Sequence, residues 1–146
     1  MCTFVKNIRF YKSKYPKYVL AIKSVYGNEI KSIYMKTLWQ IGKKYTAKGK
    51  LSKEKINANL NRITNGAFHV APCTIESFNV LKRSIEENEF VNDGENTIFL
   101  CEIPKDIIYI YGINYRCSRL LDGAKSICTK RLKLIKPINS FNEIKE

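Results

Sequence analysis

Thr97–Ile103, with the sequence TIFLCEI, indicates the architecture of this chain because it is an almost unbroken apolar run. A short apolar run that contains β-branched and aromatic residues is typical of a strand buried on both faces. Pro104 follows at once and ends the run, since proline cannot donate a hydrogen bond to a neighbouring strand. We therefore predict a central strand here, with the rest of the sheet arranged around it.

Neighbouring segments predict further strands. Lys17–Tyr26 is rich in β-branched and aromatic residues and ends at the turn signal Gly27–Asn28, so it should form a hairpin with Ile30–Tyr34. Arg131–Ile135 alternates charged and apolar residues, and its cationic face is typical of an edge strand protected from aggregation. Other strands are predicted over Thr37–Ile41, Ala67–Ala71 and Ile107–Tyr111.

Two helices are predicted between the strands. Ser52 and Thr74 are suitable N-caps, because their hydroxyls can accept a bond from an orphan backbone N–H of the first turn. The first helix would end at Gly66 and place on one face Ile56, Leu60 and Ile63. The second would place on one face Ile75, Phe78, Leu81 and Ile85. The predicted fold class is α+β, with a mixed or mostly antiparallel sheet and two helices in a single compact domain over residues 1–146.

The net charge of +13 is unevenly distributed along the 146 residues. Residues 1–62 carry a net charge of +13, residues 63–106 carry −5, and residues 107–146 carry +5. Such segregation favours binding of a polyanion through the basic regions, although a lysine-rich composition also produces a merely solvated surface. The tail after residue 137 is expected to be frayed.

Hydropathy and cysteine content predict a cytoplasmic protein. No run of 18 apolar residues exists, so no membrane-spanning helix is expected, and charge interrupts residues 1–9 too early for a signal peptide. The five cysteines are an odd number without a C-x-x-C pair, and we expect all of them to be reduced.

Sequence motifs predict neither a cofactor nor a metal. Glycine-rich phosphate loops of the forms G-x-G-x-x-G and G-x-x-x-x-G-K-[ST] do not occur. The conceivable metal ligands lack the two close pairs of a zinc site, and they are His69, Cys73, Cys117 and Cys128. His69, the single histidine, is the one catalytic candidate, but without a fixed partner it is better interpreted as a hydrogen-bonded structural residue on a strand.

Cations alternate with aromatic rings from Arg9 to Tyr18, where the sequence is RFYKSKYPKY. Lysine and arginine neutralise phosphates, and aromatic rings stack on unpaired bases. A second basic cluster spans residues 43–55, and a third spans residues 130–136. The predicted nucleic-acid contacts are Arg9, Tyr11, Lys12, Lys14, Tyr15, Lys17, Lys43, Lys44, Lys48, Lys50, Lys130, Arg131 and Lys133.

These clusters predict a non-enzymatic accessory protein whose partner is RNA, DNA or a nucleoprotein complex of the host. The structural alternative is that Phe10, Tyr15 and Tyr18 pack in the core while the lysine heads extend to solvent. In that case the aromatic residues explain the fold and contribute nothing to binding.

Two other functional classes remain open. The chain would be a protein-interaction module if the acidic segment 86–95 or an exposed Trp39 region formed the contact. It would be a nuclease or an ADP-ribosyltransferase-like enzyme by fold-level analogy alone. The residues that such an enzyme would use are His69, Glu102 and either Tyr109 or Tyr111.

Four separated segments resemble small uncharacterised proteins of phages and prophage-like elements. They are Leu38–Tyr45 (LWQIGKKY), Gly66–Val70 (GAFHV), Leu100–Lys105 (LCEIPK) and Tyr109–Gly112 (YIYG). Val70 and Asp106 stand where that family has a serine and a glycine. The resemblance implies a phage-type protein in the host cytoplasm that inhibits a host defence nuclease such as CRISPR–Cas.

Overall fold

The computed structural model of the protein describes residues 3–5, 10–32, 37–57, 60–87, 90, 94–114 and 120–145. Over these residues the chain forms one α-helix, α1 (Ile75–Glu86), and a 3-10 helix (Phe141–Lys145). The strands are β1 (Phe4–Val5), β2 (Tyr11–Lys12), β3 (Lys17–Tyr26), β4 (Glu29–Lys31), β5 (Leu38–Trp39), β6 (Lys44–Thr46), β7 (Ser52–Asn57), β8 (Leu60–Asn65), β9 (Phe68–Pro72), β10 (Glu95–Ile103), β11 (Ile108–Ile113), β12 (Lys125–Thr129) and β13 (Arg131–Ile138). No helix in this part of the chain is long and apolar enough to cross a membrane.

Strand pairing among these residues is antiparallel throughout. The main path runs β6-β13-β10-β3-β9-β12-β11-β1-β8-β7, while β2 pairs with β11 and the β4–β5 pair extends from β3. Strand β9 joins the two halves of the path, because residues 68–70 pair with β12 and residues 71–72 pair with β3. A strand that changes partners in this way turns a corner, and the two halves can pack face to face.

The central strands β3 and β10 are buried on both faces. Side chains alternate across a strand, so neighbours on β10 enter different cores. Leu100 belongs to the cluster that contains Phe78 of α1, whereas Phe99 belongs to the cluster that contains Ile127 of β12. A third, smaller cluster lies beneath the β7–β8 hairpin and contains Val5, Ile63, Ile110 and Cys128.

Several local predictions are confirmed. The apolar run is the central strand β10, which lies between β3 and β13. Strands β3 and β4 form the predicted hairpin, and Gly27 at its turn has a φ of +58°. The Thr74 hydroxyl accepts a hydrogen bond from the Ser77 N–H (3.2 Å), as expected of the N-cap of α1.

The predicted α+β fold with two helices is wrong, because the described residues form a sheet-dominated fold with one α-helix. The segment predicted as the first helix is the β7–β8 hairpin. Strand β8 also pairs with β1, with Phe4 opposite Arg62, and this long-range ladder overrides a weak helical spacing. Ile56 and Ile63, which were predicted to share one face of a helix, therefore lie in different environments. Ile63 is buried and Ile56 is exposed.

Gly66 explains why segment 52–65 was compatible with a helix as well as with a β-hairpin. Its φ is +78°, which a helix end and a strand end can both use. A Cβ atom at this position would lie 2.5 Å from the backbone carbonyl carbon of Lys50, so the close approach of the two backbone segments needs glycine.

Three other expectations are corrected. Strand β13 is interior, because the short strand β6 pairs with it and forms the edge. Lys125–Thr129 forms strand β12, which the sequence analysis missed although four of its five residues are buried. The tail is not frayed over residues 138–145, since the Glu143 carboxylate accepts bonds from the N–H groups of Asn139 and Ser140, and apolar side chains of the 3-10 helix pack on the α1 cluster.

Candidate nucleic-acid interface

Three tyrosines form an aromatic cluster where β2 pairs with β11. The register places Tyr11 opposite Tyr109, and Tyr111 follows two residues along the same face. The rings of Tyr11 and Tyr109 stack, with centroids 5.6 Å apart and an interplanar angle of 21°. Both meet the Tyr111 ring edge-on at 5.5 Å. We call Tyr11, Tyr109, Tyr111 and the adjacent Lys17 the tyrosine platform.

Lys17 places a positive charge beside the rings. Its Nζ lies 5.7 Å from the Tyr109 centroid and 5.6 Å from the Tyr111 centroid, within reach of a cation–π interaction. The pKa of Lys17 is raised, mainly by its hydrogen bond with the Tyr111 hydroxyl, while partial burial opposes the shift. The platform is therefore an aromatic surface with a permanent cation.

A buried serine holds the first strand of the platform against the turn before β11. The Ser13 hydroxyl donates to the Pro104 carbonyl (2.7 Å), and the Ser13 N–H donates to the Ile107 carbonyl (3.0 Å). The Asp106 N–H donates in turn to the Ser13 carbonyl (2.7 Å). These bonds fix the chain on both sides of Ser13, where the neighbouring lysines project.

The remaining aromatic residues of this segment reach solvent. Tyr15 is 78% exposed, Phe10 is 60% exposed and Tyr18 is 50% exposed, so the alternative that places them in the core is wrong. Lys12 and Lys14 are exposed as well. Rings and cations alternate on one accessible stretch of chain.

The second and third basic clusters meet where β6 pairs with β13. Lys133 lies opposite Lys44, and Arg131 lies opposite Thr46, so these side chains share one face. The Lys133 ammonium is 3.4 Å from the carboxylate of Glu102 on β10. Because this ion pair neutralises Lys133, Lys44 and Arg131 are the cations that the edge presents.

The other predicted contacts are dispersed. Lys43 and Lys48 are exposed at opposite ends of β6. Lys50 and Lys130 flank an apolar cleft near the β7–β8 hairpin. Arg9 lies outside the described residues. The structure thus brings together two groups, the platform segment and the β6–β13 edge, and leaves the rest apart.

His69 lies in a small polar cluster on β9. Its Nδ1 is 3.0 Å from the Thr3 hydroxyl and 3.3 Å from the Cys128 thiol, and the Thr3 hydroxyl is 2.6 Å from that of Ser126. Burial lowers the pKa of His69 to about 4, so the imidazole is neutral at pH 7. Ser126 and Cys128 are both buried, and the cluster therefore presents no open nucleophile.

Strand register separates His69 from the tyrosines of the enzyme alternative. His69 lies opposite Cys128, and Cys128 lies opposite Ile110, so these three side chains share one face. Tyr109 and Tyr111 alternate with Ile110 and therefore point to the other face. A site that combines His69 with either tyrosine is not formed.

Trp39 itself is not exposed, in contrast to one interpretation of the sequence, although its neighbours Leu38 and Ile41 are. The Trp39 side chain is buried, and its ring lies 4.5 Å from that of Tyr45 and 5.1 Å from that of Phe68. The Lys23 ammonium is 4.2 Å from the Trp39 centroid, and burial lowers the pKa of Lys23 to about 8. Much of the acidic segment 86–95 lies outside the described residues.

Within the described chain, no group of three or more His, Cys, Asp or Glu side chains is placed to hold a metal ion. His69 and Cys128 are neighbours, and neither Cys73 nor Cys128 forms a disulfide within the described chain. Cys117 lies outside the part of the chain that the structure describes.

Tyr109 and Tyr111 belong to the platform, but the sequence did not predict them as nucleic-acid contacts. They were considered only as residues of a possible enzyme. Their i, i+2 spacing on a predicted strand already places them on one face. Ser13 carries no comparable signal, because its partners Pro104 and Ile107 are distant in sequence.

No protein-family model, curated protein or solved structure matches this chain. The resemblance to phage proteins stays a prediction.

Proposed function

We propose that this chain binds single-stranded RNA or DNA through the tyrosine platform. The observation that carries the proposal is three clustered rings around a charged lysine, with Tyr11 40% and Tyr111 37% exposed. Exposed aromatic patches on a soluble surface mark interaction sites. Aromatic rings stack on bases, and lysine neutralises the adjacent phosphate.

A single strand fits this surface better than a duplex. Stacking on a tyrosine needs a base whose face is free, and bases within a duplex are stacked on one another. Lys12 and Lys14 supply charges on the same segment, with Lys12 on the other face of β2 from Tyr11, and Tyr15 supplies a further exposed ring. This alternation suits a backbone that runs along the segment while its bases turn towards the rings.

A second row of side chains crosses the sheet on the face opposite to Lys17, because Lys17 and Tyr18 are neighbours on β3 and point to opposite faces. Tyr18 on β3 lies opposite Glu102 on β10, Glu102 lies opposite Lys133, and Lys133 lies opposite Lys44. Opposite residues of antiparallel neighbours share a face, so this row links an exposed ring with the basic β6–β13 edge. A single strand that contacts both surfaces would have to pass around the start of β3, where Lys17 and Tyr18 point to opposite faces.

Fluorescence anisotropy with labelled oligo(U) and oligo(dT) tests the proposal. Tyr111→Ala should weaken binding by about 1–3 kcal/mol, whereas Tyr111→Phe, which keeps the ring, should bind nearly as the parent does. Tyr26→Ala is a matched control, because Tyr26 also has a lysine over its ring, Lys31 at 4.9 Å, but belongs to the β3–β4 hairpin. Unchanged binding by a folded Tyr111→Ala variant would contradict the proposal.

The inhibition of a host defence nuclease remains a prediction of the resemblance. A protein that holds single strands would compete for the guide or the target of such a nuclease. No specific feature of the geometry favours this use of single-strand binding over another.

A further inference from the structure

An apolar cleft of about 320 Å³ lies between strands β11 and β12 and the two segments that flank the β7–β8 hairpin, 49–51 and 66–67. Its walls include Leu51, Ala67, Ile108, Ile110 and Cys128. Ile110 and Cys128 are buried members of the cluster beneath the hairpin, so the floor of the cleft is part of a rigid core. The cleft has the size of a small-molecule site.

The chemistry of the lining selects an apolar group. Thr129 carries the single side-chain hydroxyl of the lining, and that hydroxyl donates to the Arg131 carbonyl at 3.0 Å. A sugar or a base would leave its polar edge without side-chain partners here, and an unpaired buried polar group is unfavourable. An alkyl chain has no such requirement.

The rim of the cleft selects a negative charge. Lys50 and Lys130 both border it, and the Lys130 ammonium donates to the carbonyl of Gly49, which holds this cation beside the opening. Neither lysine has a carboxylate within ion-pair distance among the described residues. An anion at the opening would therefore meet cations that have no other counter-charge.

We propose that this cleft binds a single-chain anionic amphiphile, an alkyl carboxylate of about ten carbons, with the chain inside and the carboxylate between Lys50 and Lys130. The length follows from the volume, because a water molecule occupies about 30 Å³ of the liquid and the cleft therefore holds about ten atoms. The inference is independent of single-strand binding. Ile110 faces the cleft, whereas Tyr109 and Tyr111 face the other side of β11.

The sole histidine supplies a local readout. His69 Nδ1 lies 3.3 Å from the thiol of Cys128, which lines the cleft, so an occupant should shift the His69 imidazole resonances. Hexanoate, octanoate, decanoate and tetradecanoate are titrated below their micellar concentrations. Affinity should rise about fourfold for each added methylene up to decanoate and then level off. Absence of a His69 shift, or affinity without dependence on chain length, would overturn the proposal.

Charge and cavity are tested separately. Lys50→Gln and Lys130→Gln should each weaken decanoate binding by about two- to fivefold and leave decanol binding unchanged, since one surface ion pair is lost. Lys44→Gln on the β6 edge is the matched control. If the parent bound decanoate and decanol with equal affinity, Lys50 and Lys130 at the rim would not contribute to recognition of the carboxylate.

Ala67→Phe should fill the cleft and abolish binding of both ligands. If that variant fails to fold, Ile108→Trp tests the same wall at an exposed position. Folded cleft-filling variants that still bind decanoate like the parent would refute this site. Oligonucleotide binding by the Ala67→Phe variant should stay unchanged whatever the result with the amphiphile; Ile108→Trp is not used for this comparison, because Ile108 lies opposite Lys12.

Discussion

Lys133 on β13 lies directly opposite Lys44 on β6, and its ammonium is 3.4 Å from the carboxylate of Glu102 on β10. Like charges that face each other across a strand pair are destabilising. Glu102 offsets this repulsion and joins two basic segments that are far apart in sequence. It also places one negative charge inside the surface that we propose for nucleic acid.

Glu102→Gln should have opposite effects on stability and on binding. We expect a loss of about 1 kcal/mol in the free energy of unfolding, because Lys133 would face Lys44 without its counter-charge. Affinity for oligo(U) should increase, and the slope of log K against log salt should steepen by about 0.7. Urea denaturation and anisotropy measure the two effects. Unchanged affinity and an unchanged salt slope of the folded variant would show that the β6–β13 edge is not part of the interface.

The salt dependence of binding counts the phosphate contacts. Four contacts predict a slope of about −3 for single strands. Replacement of Lys12, Lys14 and Lys17 together by glutamine should reduce the slope to about −1, since each contact contributes about 0.7. A double replacement of the exposed Lys82 and Lys125 is the control and should change the slope little. A parental slope near zero would instead favour a protein-interaction module.

His69 should make the protein sensitive to acid. Burial lowers its pKa from 6.5 to about 4 in the folded state. As pH falls through this window, the unfolded chain takes up a proton that the folded chain does not, so the free energy of unfolding decreases. The full shift corresponds to about 3 kcal/mol.

His69→Gln removes this titration. Urea denaturation at about pH 7 and about pH 4.5 should show a smaller acid-induced loss for the variant than for the parent. Oligonucleotide affinity at neutral pH should stay within a few-fold of the parent value, because His69 and the platform tyrosines lie on opposite faces of the sheet. A His69→Gln variant that is folded and binds oligonucleotides but has lost the biological activity of the parent would favour the enzyme alternative.

Lys23 should produce a pH dependence of the same sign as that of His69, but in alkaline solution. Burial lowers its pKa from 10.5 to about 8, so between these values the folded protein has lost a proton that the unfolded chain retains. The contribution of Lys23 to the free energy of unfolding therefore increases as the pH rises from about 8 to 10.5. Burial raises the pKa of Cys101 to about 12 and opposes the gain above about pH 9, so comparison with a variant is necessary.

Lys23→Met isolates the contribution of the amine. The free energy of unfolding of the variant should exceed that of the parent by the largest amount below about pH 8. This excess should become smaller as the pH rises towards 10. Trp39 is the single tryptophan, and Lys23 Nζ lies 4.2 Å from its ring, so parental fluorescence should titrate with a midpoint near 8. Lys44→Met, at an exposed position, should leave that titration intact.

Replacement of Asp106 by glycine should preserve the stability of the protein, whereas replacement by alanine should reduce it. Its φ of +68° lies in the left-handed region, where a Cβ atom is unfavourable and aspartate is accepted better than alanine. We expect Asp106→Ala to lower the free energy of unfolding by about 1 kcal/mol, or about 2–4 °C in Tm, and Asp106→Gly to match or exceed the parent. Thermal denaturation gives the order of the three proteins. Equal stability of the alanine variant would show that the turn carries no strain.

Local signals predicted those parts of the fold whose causes are local. Thr74 caps a helix because its hydroxyl reaches an N–H three residues away, and Gly27 turns a hairpin whose two strands are adjacent in sequence. The run Thr97–Ile103 had to be buried on both faces, whatever its neighbours. The segment 52–65 was predicted incorrectly because the pairing of β8 with β1 is absent from any local window.

The amino-acid sequence alone determined the positive charge, the alternation of rings with lysines, the central apolar strand and the cap of α1. Tertiary structure decided which of the charged and aromatic residues meet. Tyr11 stacks on Tyr109 only because β2 pairs with β11, and Ser13 anchors that pairing through the turn at Pro104. Contacts between distant segments depend on strand register and on closure of long loops, which residue types and spacing do not encode.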